Sequence, residues 1–254
     1  MKNGYFIDNK KEYVITNHFP KRPLMNYLWN ETTLVDIDQF GFGRGAIFDE
    51  NRTRRNLYAI GDNRLIYIMD NEDKSYYAAN RNYNKLPFTN WETHVGQGYS
   101  LISSSYNGLE FNYTIFVPID GYAECWEVKL KNTTDETKDL SVYTMAHLMT
   151  NTTIHKSYAI TDYDEDFGGI LGTSKGFDLD TEFTECYMAS DYPVDSYEIA
   201  TDKFIGYYNS VSNPVALENG GELSSAISCF DYDQTYTLCL KIVLIAGEEK
   251  TIRS

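Results

Sequence analysis

Apolar side chains recur at every second position along much of this sequence, and only an extended strand turns that pattern into one buried face. In Ala123–Leu130, Trp126, Val128 and Leu130 share one phase, while Glu127 and Lys129 take the other. Leu140, Val142, Thr144, Ala146 and Leu148 repeat the pattern, as do Leu238, Leu240, Ile242 and Leu244 within Tyr236–Ala246. Further strands are expected at Tyr99–Ser104, Leu109–Val117, Phe167–Thr173, Thr184–Ala189 and Leu223–Cys229. Helical periodicity over more than ten residues is not found.

Turn chemistry separates these runs. Asn107-Gly108 is a hairpin signal, because both residues tolerate the positive φ of a tight turn. Asn132–Asp139 is a polar loop between two strong strands, which are expected to pair as an antiparallel hairpin. Asn219-Gly220-Gly221 marks another turn. The reading is an all-β fold, a large two-sheet antiparallel β-sandwich spanning residues 1–254 as one domain. Residues 150–203 are more polar and are expected to hold long loops or an excursion from the sandwich. Thr251–Ser254, after the turn Gly247–Lys250, read as the start of another strand cut short.

Composition narrows the function. The aromatic share is 15%, with 22 Tyr, which suits strands. The formal net charge of −15 opposes nucleic acids and anionic membrane surfaces. Cys125, Cys186, Cys229 and Cys239 form no CxxC pair and lie in apolar runs, as buried free thiols of a reducing compartment would. The N-terminus lacks the apolar core of a signal peptide, and no run of 18 apolar residues occurs. A cytoplasmic location is expected.

Few side chains advertise chemistry. Asp162–Asp166 is the densest acidic cluster, but its spacing departs from a calcium loop and it reads as a solvated loop. His18, His94, His147 and His155 show no metal-ligating spacing, and no metal or organic cofactor is expected. Neither a GxSxG elbow nor a phosphate-binding GxxxxGK[ST] loop is present. With 37 acidic residues, no catalytic carboxylate pair can be singled out. Arg52, Arg54 and Arg55 follow the glycine-rich stretch Gly41–Gly45 and could reach a phosphate or a sugar hydroxyl; in so acidic a chain they could equally pair with carboxylates.

Several segments, in order, resemble the amino-terminal domain of glycoside hydrolase family ninety-four, the cellobiose and chitobiose phosphorylases. They are Gly4-Tyr5-Phe6 with Glu12–Thr16, Asn26-Tyr27-Leu28, Gly41–Gly43 and Arg52-x-Arg54-Arg55. Phe116-Val117-Pro118, Cys125-Trp126, Leu130-x-Asn132, Leu140-Ser141-Val142, Phe204-Ile205-Gly206, Ser212-Asn213-Pro214 and Gly247–Lys250 continue the match. Phe42 interrupts the family's paired glycine, and Thr93–Gly98 departs from its Arg-His-Gly-Leu stretch.

The resemblance implies a galactose mutarotase-like supersandwich from an inverting phosphorylase of a β-linked disaccharide. Such an enzyme uses inorganic phosphate as co-substrate and yields an α-sugar-1-phosphate. Its general-acid Asp would lie in a downstream (α/α)6 barrel, so no catalytic residue is expected here. Barrel packing, homodimerisation and a loop contribution to the active site are the implied roles, with Arg52, Arg54 and Arg55 as substrate-proximal candidates. The alternative is a free-standing carbohydrate-binding module using Trp29, Trp91 or Trp126, although Trp126 has the phase of a core residue. A complete sandwich hydrolase or mutarotase-like enzyme has no motif in its favour.

Overall fold

In the computed structural model, which describes residues 3–52, 54–58, 61–148, 157–176, 184–226, 229–230 and 234–254, the alternating runs are strands. In chain order they are β1 (Gly4–Ile7), β2 (Glu12–Ile15), β3 (Asn26–Trp29), β4 (Thr33–Ile37), β5 (Gly45–Phe48), β6 (Arg54–Asn56), β7 (Arg64–Asp70), β8 (Tyr76–Ala78), β9 (Thr89–Val95) and β10 (Tyr99–Tyr106). Then follow β11 (Leu109–Phe116), β12 (Cys125–Asn132), β13 (Lys138–Ala146), β14 (Ser157–Asp164), β15 (Gly169–Gly176), β16 (Thr184–Ala189) and β17 (Ser196–Ala200). After two single-turn helices, α1 (Thr201–Phe204) and α2 (Val215–Glu218), come β18 (Cys229–Phe230), β19 (Gln234–Leu244) and β20 (Glu249–Arg253).

A seven-stranded sheet, β1-β2-β9-β10-β11-β12-β20, lies over a five-stranded sheet, β17-β19-β13-β7-β8. Their inner faces share one apolar core, which holds Phe111, Trp126, Val128 and Leu130 with Ile66, Ile68, Val142 and Leu240. Two four-stranded sheets, β3-β4-β5-β6 and β16-β15-β14-β18, are added to this sandwich.

β12 keeps the expected alternation, with Trp126, Val128, Leu130 and Asn132 buried in turn. The five-stranded sheet goes further and is buried on both faces. Tyr67 and Tyr143, adjacent on its second face, are covered by residues 201–221. The Tyr67 ring meets Phe204 edge-on at 5.9 Å and its hydroxyl donates to the Val211 carbonyl at 2.7 Å. The Tyr143 hydroxyl donates to the Gly221 carbonyl at 2.8 Å. Polar tips let these tyrosines read as surface residues in the sequence while their rings fill a core.

The Asn107-Gly108 hairpin forms as expected between β10 and β11, with φ of 48° and 70° at its two turn residues. The second expected hairpin does not form. β12 pairs with β11 and β20, whereas β13 pairs with β7 and β19, so the 133–137 loop crosses from one sheet to the other. The turn between β19 and β20 makes the return crossing beside it. The expected excursion at 150–203 contains three strands of a separate sheet, and β17 joins the five-stranded sheet. Residues 223–226 are irregular rather than strand, and residues 251–253 belong to β20, which pairs with β12 over five positions.

Asn132 holds the two crossings together. Its side-chain amide donates to the carbonyls of Glu136, Leu244 and Ile245 at 2.6, 3.0 and 3.2 Å. Its carbonyl oxygen accepts from the Thr134 backbone N–H and hydroxyl at 3.0 and 2.7 Å. Asn132 is fully buried, so no water can replace these bonds. Asn132→Ala is expected to destabilise the fold by about 2–3 kcal/mol, measured by urea unfolding.

At the other edge of the seven-stranded sheet, the buried Glu12 carboxylate accepts from the Tyr99 hydroxyl and lies 2.9 Å from His94 Nδ1. The Tyr99 hydrogen bond, then the one from His94, holds the Glu12 carboxyl below its ordinary value of 4.5. A lowered carboxyl stabilises the fold above its unfolded value, and that contribution is lost as pH falls through the folded value. Tyr99→Phe is therefore expected to be less stable than wild type at neutral pH by about 1 kcal/mol, the difference shrinking on acidification. Thermal melts of both proteins from neutral pH down into the acid limb check this.

Candidate functional site

Where the loop before β12 meets β5, β6 and β16, the sheets leave a cavity of about 600 Å³. Its walls are mainly apolar, with Ile47, Leu57, Phe116, Trp126, Leu148 and Met188 among them. Phe167 and Tyr187 also line it, 47% and 54% exposed, with their rings edge-on at 5.2 Å.

The charged group at its base is Glu124, whose side chain is 1% exposed and pairs with the wholly buried Arg64. Arg64 Nε donates to Oε1 at 2.7 Å and Nη2 to Oε2 at 2.8 Å, a two-pronged ion pair. The Tyr58 hydroxyl and the Trp126 indole N–H also donate to Oε1, at 2.8 and 2.6 Å. The Arg64 guanidinium lies 3.8 Å from the centre of the Tyr58 ring, and Nη1 donates to the Gly41 carbonyl at 3.3 Å. Burial and the Glu124 charge raise the Tyr58 phenol well above its ordinary value, so it stays a proton donor at neutral pH.

Glu124 and Arg64 therefore find their partners inside the protein, whereas the buried Tyr113 hydroxyl beside them has no hydrogen-bond partner among the described residues. Glu124 accepts four hydrogen bonds, so both of its carboxylate oxygens are engaged inside the protein. Burial pushes the Cys186 thiol, on the cavity wall, up to about 12, and pushes Cys125 up as well. Neither supplies a thiolate at neutral pH. The arrangement can shape and hold an apolar surface, and among the described residues the buried carboxylate at its base is fully engaged by Arg64, Tyr58 and Trp126.

The structure divides the three arginines predicted as site residues. Arg52 sits in the turn after β5 at φ 60°, and its Nη1 donates to the Glu31 carbonyl at 2.9 Å. Arg54 and Arg55 are neighbours on β6, so their side chains leave opposite faces. Arg55 pairs with Ile47 and lines the cavity. Arg54 pairs with Phe48 and is exposed on the outer face.

The glycine-rich stretch Gly41–Gly45 is a packed turn leading into β5. Asp38 Oδ1 accepts from the backbone N–H of Phe40 and Phe42 at 2.8 and 3.0 Å, and both rings are buried. Gly43 has φ 152° and lies so close to the Asp36 carbonyl that a Cβ would stand 2.0 Å from its oxygen. Only glycine fits there.

The acidic cluster Asp162–Asp166 runs from the end of β14 into the turn toward β15, where Asp164 Oδ1 accepts from the Phe167 N–H at 2.9 Å. Among the described residues no group of three or more His, Cys, Asp or Glu is placed to hold a metal ion. His18 packs on Trp91 with ring centres 4.0 Å apart, and His94 lies between Glu12 and Glu92. His155 lies outside the described residues. Cys125, Cys186 and Cys239 are free thiols. No helix among the described residues is long and apolar enough to cross a membrane.

Sequence reasoning missed Glu124, Arg64 and Asn132, yet each carried a signal. Glu124 and Asn132 share the phase of Trp126, Val128 and Leu130, and Arg64 shares that of Ile66 and Ile68. A charge in the apolar phase of a strand must find a buried partner. Glu124→Gln is expected to destabilise the fold by about 3–5 kcal/mol, because it leaves the Arg64 charge buried and uncompensated. The double replacement Arg64→Met with Glu124→Leu is expected to recover much of that loss, and urea unfolding of both variants decides it.

The model of the glycosyl hydrolase 94 supersandwich domain matches residues 11–253 of the chain. An N,N'-diacetylchitobiose phosphorylase from Vibrio furnissii is 28% identical over 261 residues, covering 98% of this chain and 32% of its own length. A solabiose phosphorylase from Paenibacillus borealis is 26% identical over 256 residues, covering 92% of this chain and 33% of its own. The chain thus spans about a third of the length of these relatives. Among solved structures, a GalM/aldose epimerase homologue from C. elegans aligns with a TM-score of 0.45 at 12% identity, over 91% of this chain and 97% of that one.

Proposed function

Because the chain belongs to the glycosyl hydrolase 94 family through its supersandwich domain, we propose that it is the non-catalytic amino-terminal domain of an inverting phosphorylase. The parent enzyme cleaves a β-linked disaccharide such as cellobiose with inorganic phosphate and releases an α-sugar-1-phosphate. The observation that carries this reading is the family match over residues 11–253, in a chain spanning about a third of its relatives' length.

The chemistry of the cavity supports the non-catalytic assignment. An inverting phosphorylase needs one carboxylic acid to protonate the departing oxygen, because phosphate is itself the nucleophile. Both Glu124 oxygens are engaged by Arg64, Tyr58 and Trp126 at the buried base, so its carboxyl is not free to reach a glycosidic oxygen. The general acid is assigned to an (α/α)6 barrel elsewhere in the parent protein.

The domain's work is then mechanical. The apolar cavity with Phe167 and Tyr187 at its wall offers the barrel a surface to pack on, and exposed apolar surface of this kind marks an interface. The parent is a homodimer in this reading. Of the candidates Arg52, Arg54 and Arg55, this reading favours Arg54 as the substrate-proximal residue; its exposed side chain on the outer face of β6 supports that choice.

Pure chain supplied with cellobiose or N,N'-diacetylchitobiose and phosphate is expected to release no sugar-1-phosphate, assayed by phosphate consumption and by anomeric NMR. Release by the chain alone overturns the reading. In the parent enzyme, Phe167→Ser with Tyr187→Ser is expected to lower phosphorolysis severalfold and separate the domains in limited proteolysis, while leaving the melting temperature of this domain alone nearly unchanged.

A further inference from the structure

The outer face of the β3-β4-β5-β6 sheet is apolar where it meets solvent. Tyr27 and Trp29 on β3 and Leu34 on β4 are 52%, 68% and 39% exposed. Trp29 pairs with Leu34 and Tyr27 with Asp36, so all four side chains share one face. The chain's other tryptophans, Trp91 and Trp126, are buried to 6% and 4%. Leaving the third indole in water forgoes one of the largest burial gains available to any side chain.

The placement of the two rings is specific. β3 is the outermost strand of its sheet, so they stand at an open rim. Alternate residues of a strand are about 7 Å apart, which sets two flat apolar surfaces side by side. Next to them lies a fixed polar group. Arg44 Nε and Nη2 donate to Asp36 Oδ2 at 2.8 and 2.6 Å, while its side chain remains 72% exposed. The Arg44 backbone N–H also donates to Asp36 Oδ1, so the Asp36 carboxylate is held from both sides. Arg44 Nη1 has no partner among the described residues, so its N–H groups are left to a ligand or water. Arg54 is at the opposite edge of the sheet, three strand spacings or about 14 Å away.

We propose that this face binds a β-linked, gluco-configured oligosaccharide. In such a ring the hydroxyls are equatorial and the axial C–H bonds make both faces flat and apolar, the shape that stacks on an indole or a phenol. The hydroxyls at the ring edge then take hydrogen bonds from the immobilised Arg44 guanidinium. A β-1,4 chain is extended and can present neighbouring rings to Trp29 and Tyr27, whereas an α-1,4 chain curves away. The patch suits one or two sugar rings. A stable protein partner buries about 800 Å² per side, far more than three exposed apolar side chains supply. The inference does not rest on the phosphorylase reading, because binding here requires neither phosphate nor a catalytic domain.

The test is a titration of the full chain with cellotetraose, followed by the indole N–H signals of its tryptophans in NMR, with maltotetraose as comparator and sedimentation run in parallel. The expected result is a saturable shift of one indole signal, the one absent from Trp29→Ala. Trp29→Ala is expected to bind roughly tenfold or more weakly, and Trp29→Phe to retain most of the affinity. Arg44→Met is expected to weaken binding without moving the unliganded spectrum beyond its neighbours. Absence of a shift, a shift confined to Trp91 or Trp126, or equal binding by Trp29→Ala overturns the proposal. So does a chain that self-associates through this face, seen as a dimer that Trp29→Ala dissociates. Phosphorolysis by the parent enzyme is a separate readout, so failure of either reading leaves the other standing.

Discussion

The structure turns on one buried ion pair, Arg64 with Glu124. Arg64 opens β7 in the five-stranded sheet, and Glu124 precedes β12 in the seven-stranded sheet. Two opposite charges away from water must find each other in good geometry or carry a desolvation penalty of several kcal/mol each. Here the geometry is met by the two-pronged contact and by Tyr58, Trp126 and the Gly41 carbonyl, so one arrangement of the two sheets satisfies both charges. A slide of one sheet over the other would strand both charges. The pair thus fixes how the sheets face each other, more than it adds to stability over an apolar pair of the same size.

That constraint explains the neighbouring sequence. The Gly41 carbonyl reaches Arg64 because Asp38 closes a tight turn and Gly43 lets the chain pass against Asp36. The same turn sends the chain into β5 and then β6, which divides Arg54 from Arg55. Asn132, at the far end of β12, does for the crossing loops what Glu124 does at the near end. Both are polar groups in the apolar phase of one strand, and both are saturated with hydrogen bonds that span the two sheets.

The strands, the all-β class and the Asn107-Gly108 hairpin were legible because each follows from local rules of phase and turn chemistry. The 132–139 loop was misread for a physical reason. A polar loop of that length can close a hairpin or cross between packed sheets, and the choice is made by Asn132 bonding to residues more than a hundred positions away. The double burial of the five-stranded sheet was hidden by Tyr67 and Tyr143, whose polar tips disguise buried rings. The arginine cluster reads as one patch in a line of letters, but neighbours on a strand point to opposite faces. The carbohydrate chemistry entered only through resemblance, since no composition or spacing rule encodes it.

Saturation of polar groups separates scaffold from recognition surface in this molecule. Around Glu124, four hydrogen bonds fill the carboxylate, and the aromatic rings beside it lie in the core. Around Asp36 the carboxylate is also engaged, but its partner Arg44 is left with unused N–H donors in water beside two exposed rings. The first arrangement resists change, because any ligand would have to displace bonds already made. The second requires no internal bond to break, and the ordering of Arg44 has been supplied by folding. Pre-ordered donors beside exposed rings lower the entropic cost of capturing a hydroxylated ligand. On that physical ground the outer face of β3 and β4, and not the larger cavity, is where this domain is equipped to hold a sugar.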